Sequence, residues 1–155
     1  MTDTPEKRLA ALGLKLPEAP VPLANYVPAL LSGDLLFVSG QIARRADGAV
    51  FAGQLGGGLS VAEGQEAARA CALAILAQAH QALGALDRIE QVMRLTGFVS
   101  SAPQFFEQPQ VINGASDLMV AVLGDKGRHT RAAVGVAALP AGAAVEIDAI
   151  LKVRI

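Results

Sequence analysis

The sequence predicts a two-layer α+β domain: one mixed β-sheet with two main helices on one face. Three observations carry that prediction. Segments of strand and helix character follow one another as strands, long helix, strand, helix and strand pair. The stretch from Arg131 to Ile155 alternates side chains at the two-residue period of a sheet. The chain has 155 residues, 52% hydrophobic and 17% charged, enough for one proper core and too few for two, so residues 1–155 are read as a single domain.

Thr4-Pro5-Glu6 is a helix entry, with a capping Thr and a Pro at the first helical position, and Gly13 ends that short helix. Residues 1–20 are an N-terminal extension carrying it. Leu16 to Pro28 holds four prolines and is extended or irregular. Ala29–Leu31 and Leu35–Val38 are strands around the turn Ser32-Gly33-Asp34. Ser39-Gly40 follows at once, and a Gly after a strand lets something approach the backbone closely. The loop with Gly56-Gly57-Gly58 precedes a helix, but no Lys-Ser/Thr follows it, so a flexible loop is favoured over an anion site.

Ser60 to Leu83 is the strongest helix. Ser60 and Glu63 form a capping box, and Gly84 stops it. Ala68, Ala72, Ile75, Leu76, Ala79 and Leu83 make its apolar stripe, while Glu63, Glu66, Arg69, Gln78 and Gln81 populate the rest. Cys71 and His80 lie on this helix with no nucleophile–base pair visible around them. Ile89 to Ser100 is a strand, with Met93, Leu95 and Val99 alternating with Arg94, Thr96 and Phe98. Pro109 opens a second helix that ends at Gly124. Asn113 and Gly114 stand in its first half although neither favours helix. Arg131–Ala138 and Ala144–Val153 are then strands joined by Leu139-Pro140-Ala141-Gly142, read as a hairpin. The uncovered sheet face would carry an apolar patch including Val92, Phe98 and Ile150, of the kind that oligomers bury.

Net charge is −1 and no Lys/Arg run exceeds two residues, which argues against a nucleic-acid partner. No apolar run of about 18 residues is free of charge, so no membrane partner is expected. The N-terminus has neither the apolar core nor the cleavage site of a secretory signal. A single cysteine excludes an intrachain disulfide, and a cytoplasmic protein is expected.

Arg131 shares its strand face with Ala133, Gly135 and Ala137. Small residues beside a guanidinium leave room for a carboxylate gripped by two parallel hydrogen bonds. The pattern leaves open the plainer reading of an Arg reaching into water. Glu146 alternates onto the polar face of the last strand, where solvent contact alone would explain it.

Several segments, taken in order, resemble the Rid family of reactive-intermediate deaminases, also called YjgF-like and historically labelled L-PSP endoribonucleases. They are Asn25-Tyr26-Val27, Leu36-Phe37-Val38-Ser39-Gly40-Gln41-Ile42 and Leu95-Thr96-Gly97-Phe98-Val99, then the Asn113 helix, Arg131 to Pro140 and Val145 to Ile150. The resemblance implies a chorismate-mutase-like fold assembled as a homotrimer with pockets between subunits. It implies that Arg131 holds a small carboxylate ligand and that Glu146 positions or activates water. It places Tyr26, Ser39, Gly40, Asn113 and Ala133 around the substrate, Ala133 standing where members often have Cys. The implied reaction is hydrolysis of a 2-imino or enamino acid to its 2-keto acid and ammonia, with no metal or organic cofactor. An iminium carbon is already electrophilic, so an anchor and a base for water suffice without a nucleophilic side chain. The alternative is a trimeric carboxylate-binding or regulatory protein that uses the same pocket without turnover. RNA cleavage is disfavoured by the acidic balance and by a composition with one Tyr and no Trp. In a hairpin with its turn near Ala141, Arg131 and Glu146 would lie about 17 Å apart along the strands, so the two are expected to meet across a subunit boundary.

Overall fold

The computed structural model describes residues 3–155. Thr4 caps α1 (Pro5–Ala11) by accepting a hydrogen bond from the Lys7 amide at 3.2 Å. A proline-rich arm then leads into β1 (Ala29–Ser32) and β2 (Leu35–Ile42), an antiparallel pair turned at Gly33, whose φ of 60° lies in the left-handed region. The capping box of α2 (Val61–Leu83) closes in both directions through Ser60 and Glu63, and Gly84 caps its end with φ 85°. β3 (Ile89–Ser100), α3 (Gln108–Leu123), β4 (Thr130–Val136) and β5 (Val145–Val153) complete the chain. The five strands form one mixed sheet in the order β1-β2-β5-β3-β4, with α2 and α3 packed over one face.

The C-terminal pair is not a hairpin. β3 lies between β4 and β5, parallel to the first and antiparallel to the second. Both strands reach the same end of β3, where Ser100 pairs with Val136 and Val99 with Val145, so residues 137–144 step over that end. Pro140 and Gly142 do turn the chain, but turn chemistry reports a reversal and not whether the two strands touch.

Three side chains sit opposite to expectation. Val92 is fully buried while Met93 is exposed, because a bulge between Val92 and Arg94 switches the alternation of β3. Gln78, expected on the solvent side of α2, is buried and donates to the Pro20 carbonyl at 2.9 Å, which ties the N-terminal arm down. Gly114 also acquires a reason. A Cβ there would collide with the Gln65 carbonyl oxygen, so this glycine lets α3 lie directly against the backbone of α2.

The expected helix stripe from Ala68 to Leu83 is buried against Val145, Ile147, Ala149 and Leu151 of β5. The other sheet face is uncovered, with Leu30, Phe37 and Val134 exposed and Phe98 and Ile150 half-buried. Among the described residues no helix is long and apolar enough to cross a membrane.

Candidate active site

Arg131 lies at the start of β4 and pairs with Leu95 of β3. Cross-strand partners share a sheet face. Leu95 is buried beneath the helices, so Arg131 points to the helix-bearing side at the edge of the sheet. There its Nη1 donates to Asn113 Oδ1 at 2.7 Å and to Ser116 Oγ at 3.1 Å, both on α3. Ala133, two residues on, packs against the core on the same side, opposite Gly97. The unfavoured helix residue Asn113 therefore has a partner of its own: it faces the guanidinium.

Glu146 lies in β5 and pairs with Phe98 and Ile42, on the uncovered face. Its carboxylate lies so close to Gly40 that a Cβ there would stand 2.6 Å from Oε2. Partial burial raises its pKa above the usual 4.5, and the Asp148 charge two residues away adds to the rise. Tyr26, Ser39 and Gly40 gather on this same side and line a groove of about 550 Å³ with Asn25, Asp148 and Ile150. Ser39 pins the Tyr26 segment to β2, its Oγ donating to the Val27 carbonyl at 2.7 Å and its amide to the Pro28 carbonyl at 2.9 Å.

The seven residues singled out in the sequence thus fall into two groups. Arg131, Asn113 and Ala133 share the β4–α3 edge. Glu146, Tyr26, Ser39 and Gly40 share the open face. The Arg131 and Glu146 positions are two strands apart and three residues offset along β3. That spacing separates their Cα atoms by about 14 Å, and an odd offset puts the side chains on opposite faces.

Sequence reasoning missed Ser116, His129 and Asp148. His129 Nδ1 lies 2.6 Å from the Gly127 carbonyl oxygen and its Nε2 lies 2.9 Å from Ser116 Oγ. Helical spacing offered a signal for Ser116, three residues after Asn113. Strand spacing offered one for Asp148, two after Glu146. Cys71 is fully buried, and burial, with the Glu146 charge second, pushes its thiol well above the usual range. It is a packing residue. Among the described residues no cluster of three or more His, Cys, Asp or Glu has the arrangement of a metal site.

Gly135 lies on the Arg131 side of β4, opposite Val99. A Cβ there would stand 2.8 Å from Gln108 Nε2 and 3.1 Å from Ser101 Oγ, the ends of side chains that can move. We expect Gly135→Val to fold with a melting temperature within about 4 °C of wild type and to lose binding of a small keto acid. Thermal denaturation and calorimetric titration check this, and loss of cooperative unfolding would assign the glycine to packing.

Residues 6–147 match the family model described as "YjgF/chorismate_mutase-like, putative endoribonuclease". The chain is 53% identical over 147 residues to Protein TCP17 of Trypanosoma cruzi, covering 94% of this chain and 92% of that one. The crystal structure of Atu1372 from Agrobacterium tumefaciens, a protein of unknown function, superimposes with a TM-score of 0.90 at 49% identity, over 99% of this chain and 95% of that one. RidA from an Antarctic Psychrobacter gives a TM-score of 0.58 at 26% identity, over 88% and 94%.

Proposed function

We propose, from the premise that this chain belongs to the YjgF-like (Rid) family, that it hydrolyses small 2-imino or enamino acids to 2-keto acids and ammonia in pockets between the subunits of a homotrimer. Arg131 holds the substrate carboxylate and Glu146 of a neighbouring chain positions the attacking water. The observation that carries this reading is the division of the site. An anion-binding guanidinium is fixed at one edge of the sheet, and a carboxylate of raised pKa stands on the opposite face beside an open groove. A small imino acid places its carboxylate next to its reactive carbon, so only a second subunit can bring the two groups to one molecule.

The chemistry needs few parts. Water adds to the iminium carbon while Glu146 accepts its proton, which forms a carbinolamine. Collapse of that adduct to the keto acid expels ammonia, with proton return to nitrogen. A base whose pKa lies above that of an ordinary carboxylate is better matched to neutral pH than one at 4.5. Tyr26 and Ser39 shape the groove, and Gly40 leaves room for the Glu146 carboxylate.

The assay is keto-acid formation from an imine generated in place by an amino-acid oxidase, against the spontaneous rate. Sedimentation equilibrium should give a trimer at micromolar concentration, since an uncovered face bearing Leu30, Phe37 and Val134 favours burial between copies; a monomer mass would remove the interface site.

The second reading is a carboxylate-binding protein without turnover. It is favoured by Arg131 already being locked in place while Glu146 of the same chain stands on the opposite face of the sheet. Binding of keto acids with no rate enhancement across a panel of imines selects it.

A further inference from the structure

The geometry points to Ser116 and His129 as positioning residues that lock the Arg131 guanidinium, so that a carboxylate can dock only side-on, at its Nε–Nη2 edge. This rests on the reading of Arg131 as the carboxylate anchor.

A guanidinium carries five N–H donors, two on each Nη and one on Nε. Both hydrogens of Nη1 are taken, one by Asn113 Oδ1 and one by Ser116 Oγ. Among the described residues, Nε and Nη2 meet no protein acceptor. Carboxylates pair with arginine through two parallel N–H bonds. With Nη1 saturated, the pair that remains is Nε–H with one hydrogen of Nη2. The end-on geometry, which uses Nη1 and Nη2, is closed.

His129 fixes this choice one step back. The Gly127 carbonyl can only accept, so His129 Nδ1 carries the proton and donates to it across 2.6 Å. In the neutral ring Nε2 is then a lone pair, and it accepts the Ser116 hydroxyl hydrogen across 2.9 Å. That turns the Ser116 oxygen lone pairs towards Arg131. The hydrogen bonds run one way, from Arg131 to Ser116 to His129 to Gly127. Its far end is firm, because Gly127 packs so tightly that a Cβ would collide with the Met119 carbonyl oxygen on α3. Arg131 otherwise has several rotatable bonds at the sheet edge, and holding it beforehand removes an ordering cost from ligand binding.

The test has a readout that needs no turnover. In the ligand-free wild-type protein, nitrogen-15 NMR of Arg131 should resolve separate Nη1 and Nη2 signals. Ser116→Ala and His129→Ala should average them by freeing guanidinium rotation, and Ser116→Thr and His129→Gln should restore them. The dissociation constant for 2-oxobutanoate should rise about tenfold in the two alanine variants and stay within about twofold in the conservative ones. With an imine substrate, KM should rise with kcat unchanged. Separate signals persisting in Ser116→Ala would overturn the proposal, as would a fall in kcat at constant KM or failure of the wild-type protein to bind 2-oxobutanoate. Failure of the deaminase reading is distinguishable: the wild-type protein then binds 2-oxobutanoate but produces no keto acid from any imine, while the NMR and binding results still decide the role of the pair.

Discussion

Trimers refolded from an equal mixture of Arg131→Ala and Glu146→Ala chains should recover about a quarter of the wild-type imine hydrolase activity, although each parent alone should lose about a hundredfold or more. The fraction follows from chance pairing. An interface works only when the chain supplying arginine is the Glu146→Ala one and the chain supplying glutamate is the Arg131→Ala one, each with a probability of about one half. The expectation no longer depends on a hairpin. Arg131 and Glu146 lie on opposite faces of the sheet, about 14 Å apart. A side chain cannot pass through a hydrogen-bonded sheet, so no rotamer change within one chain joins them. Subunit mixing is confirmed by mass spectrometry of differently tagged chains. Mixed trimers with no regained activity would remove at least one of the two residues from catalysis.

Glu146→Gln should lower kcat by about two to four orders of magnitude, and the folded protein should gain stability from the same change. Both follow from one cause. Burial raises the carboxyl pKa above 4.5 in the fold and Asp148 adds to it, so the folded state holds this proton more tightly than the unfolded state. The stabilising effect of that proton is full below the unfolded pKa and is lost as pH rises through the folded value. The melting temperature of the wild-type protein should therefore fall relative to Glu146→Gln as pH climbs above 4.5. Below that pH the two should converge. In the same window wild-type kcat/KM should rise as the base form appears, and the variant should show no such limb. Thermal melts and rate profiles across that range test both signs. Equal melting curves at all pH values would mean that a cation offsets the Glu146 charge in the assembly.

The parts of the fold that were legible in the sequence are those set by local rules. The capping box of Ser60 and Glu63, the alanine stripe of α2 and the Gly33 turn depend on neighbours in sequence, and each stands where its pattern put it. What was not legible depends on partners remote in sequence. Nothing in residues 130–153 reveals that β3 inserts between β4 and β5, since the insertion rests on pairing in register with residues 89–100. The bulge that buries Val92 is likewise a property of the β3–β5 ladder and not of β3. The site divides in the same way. Resemblance named Arg131 and Asn113, which do touch. His129 escaped notice because a histidine in a loop carries no signal until β4 is laid beside α3, and Ser116 offered only its spacing of three residues from Asn113 on the helix.

The position of β4 has a further consequence, for local stability. Among the described residues this strand has β3 as its one neighbour in the sheet; Arg131 ties its start to α3, and the Ser101 amide donates to the Val136 carbonyl at its end. Edge elements open at lower free energy than central ones, so the amides of Thr130–Val136 should exchange with solvent well before those of β3 and β5 in a dissociated chain. The guanidinium is thus mounted on a segment that one chain holds weakly. Whatever covers that edge, a second subunit or a ligand bridging to it, slows the opening, and protection of these amides reports occupancy of the site without reference to catalysis.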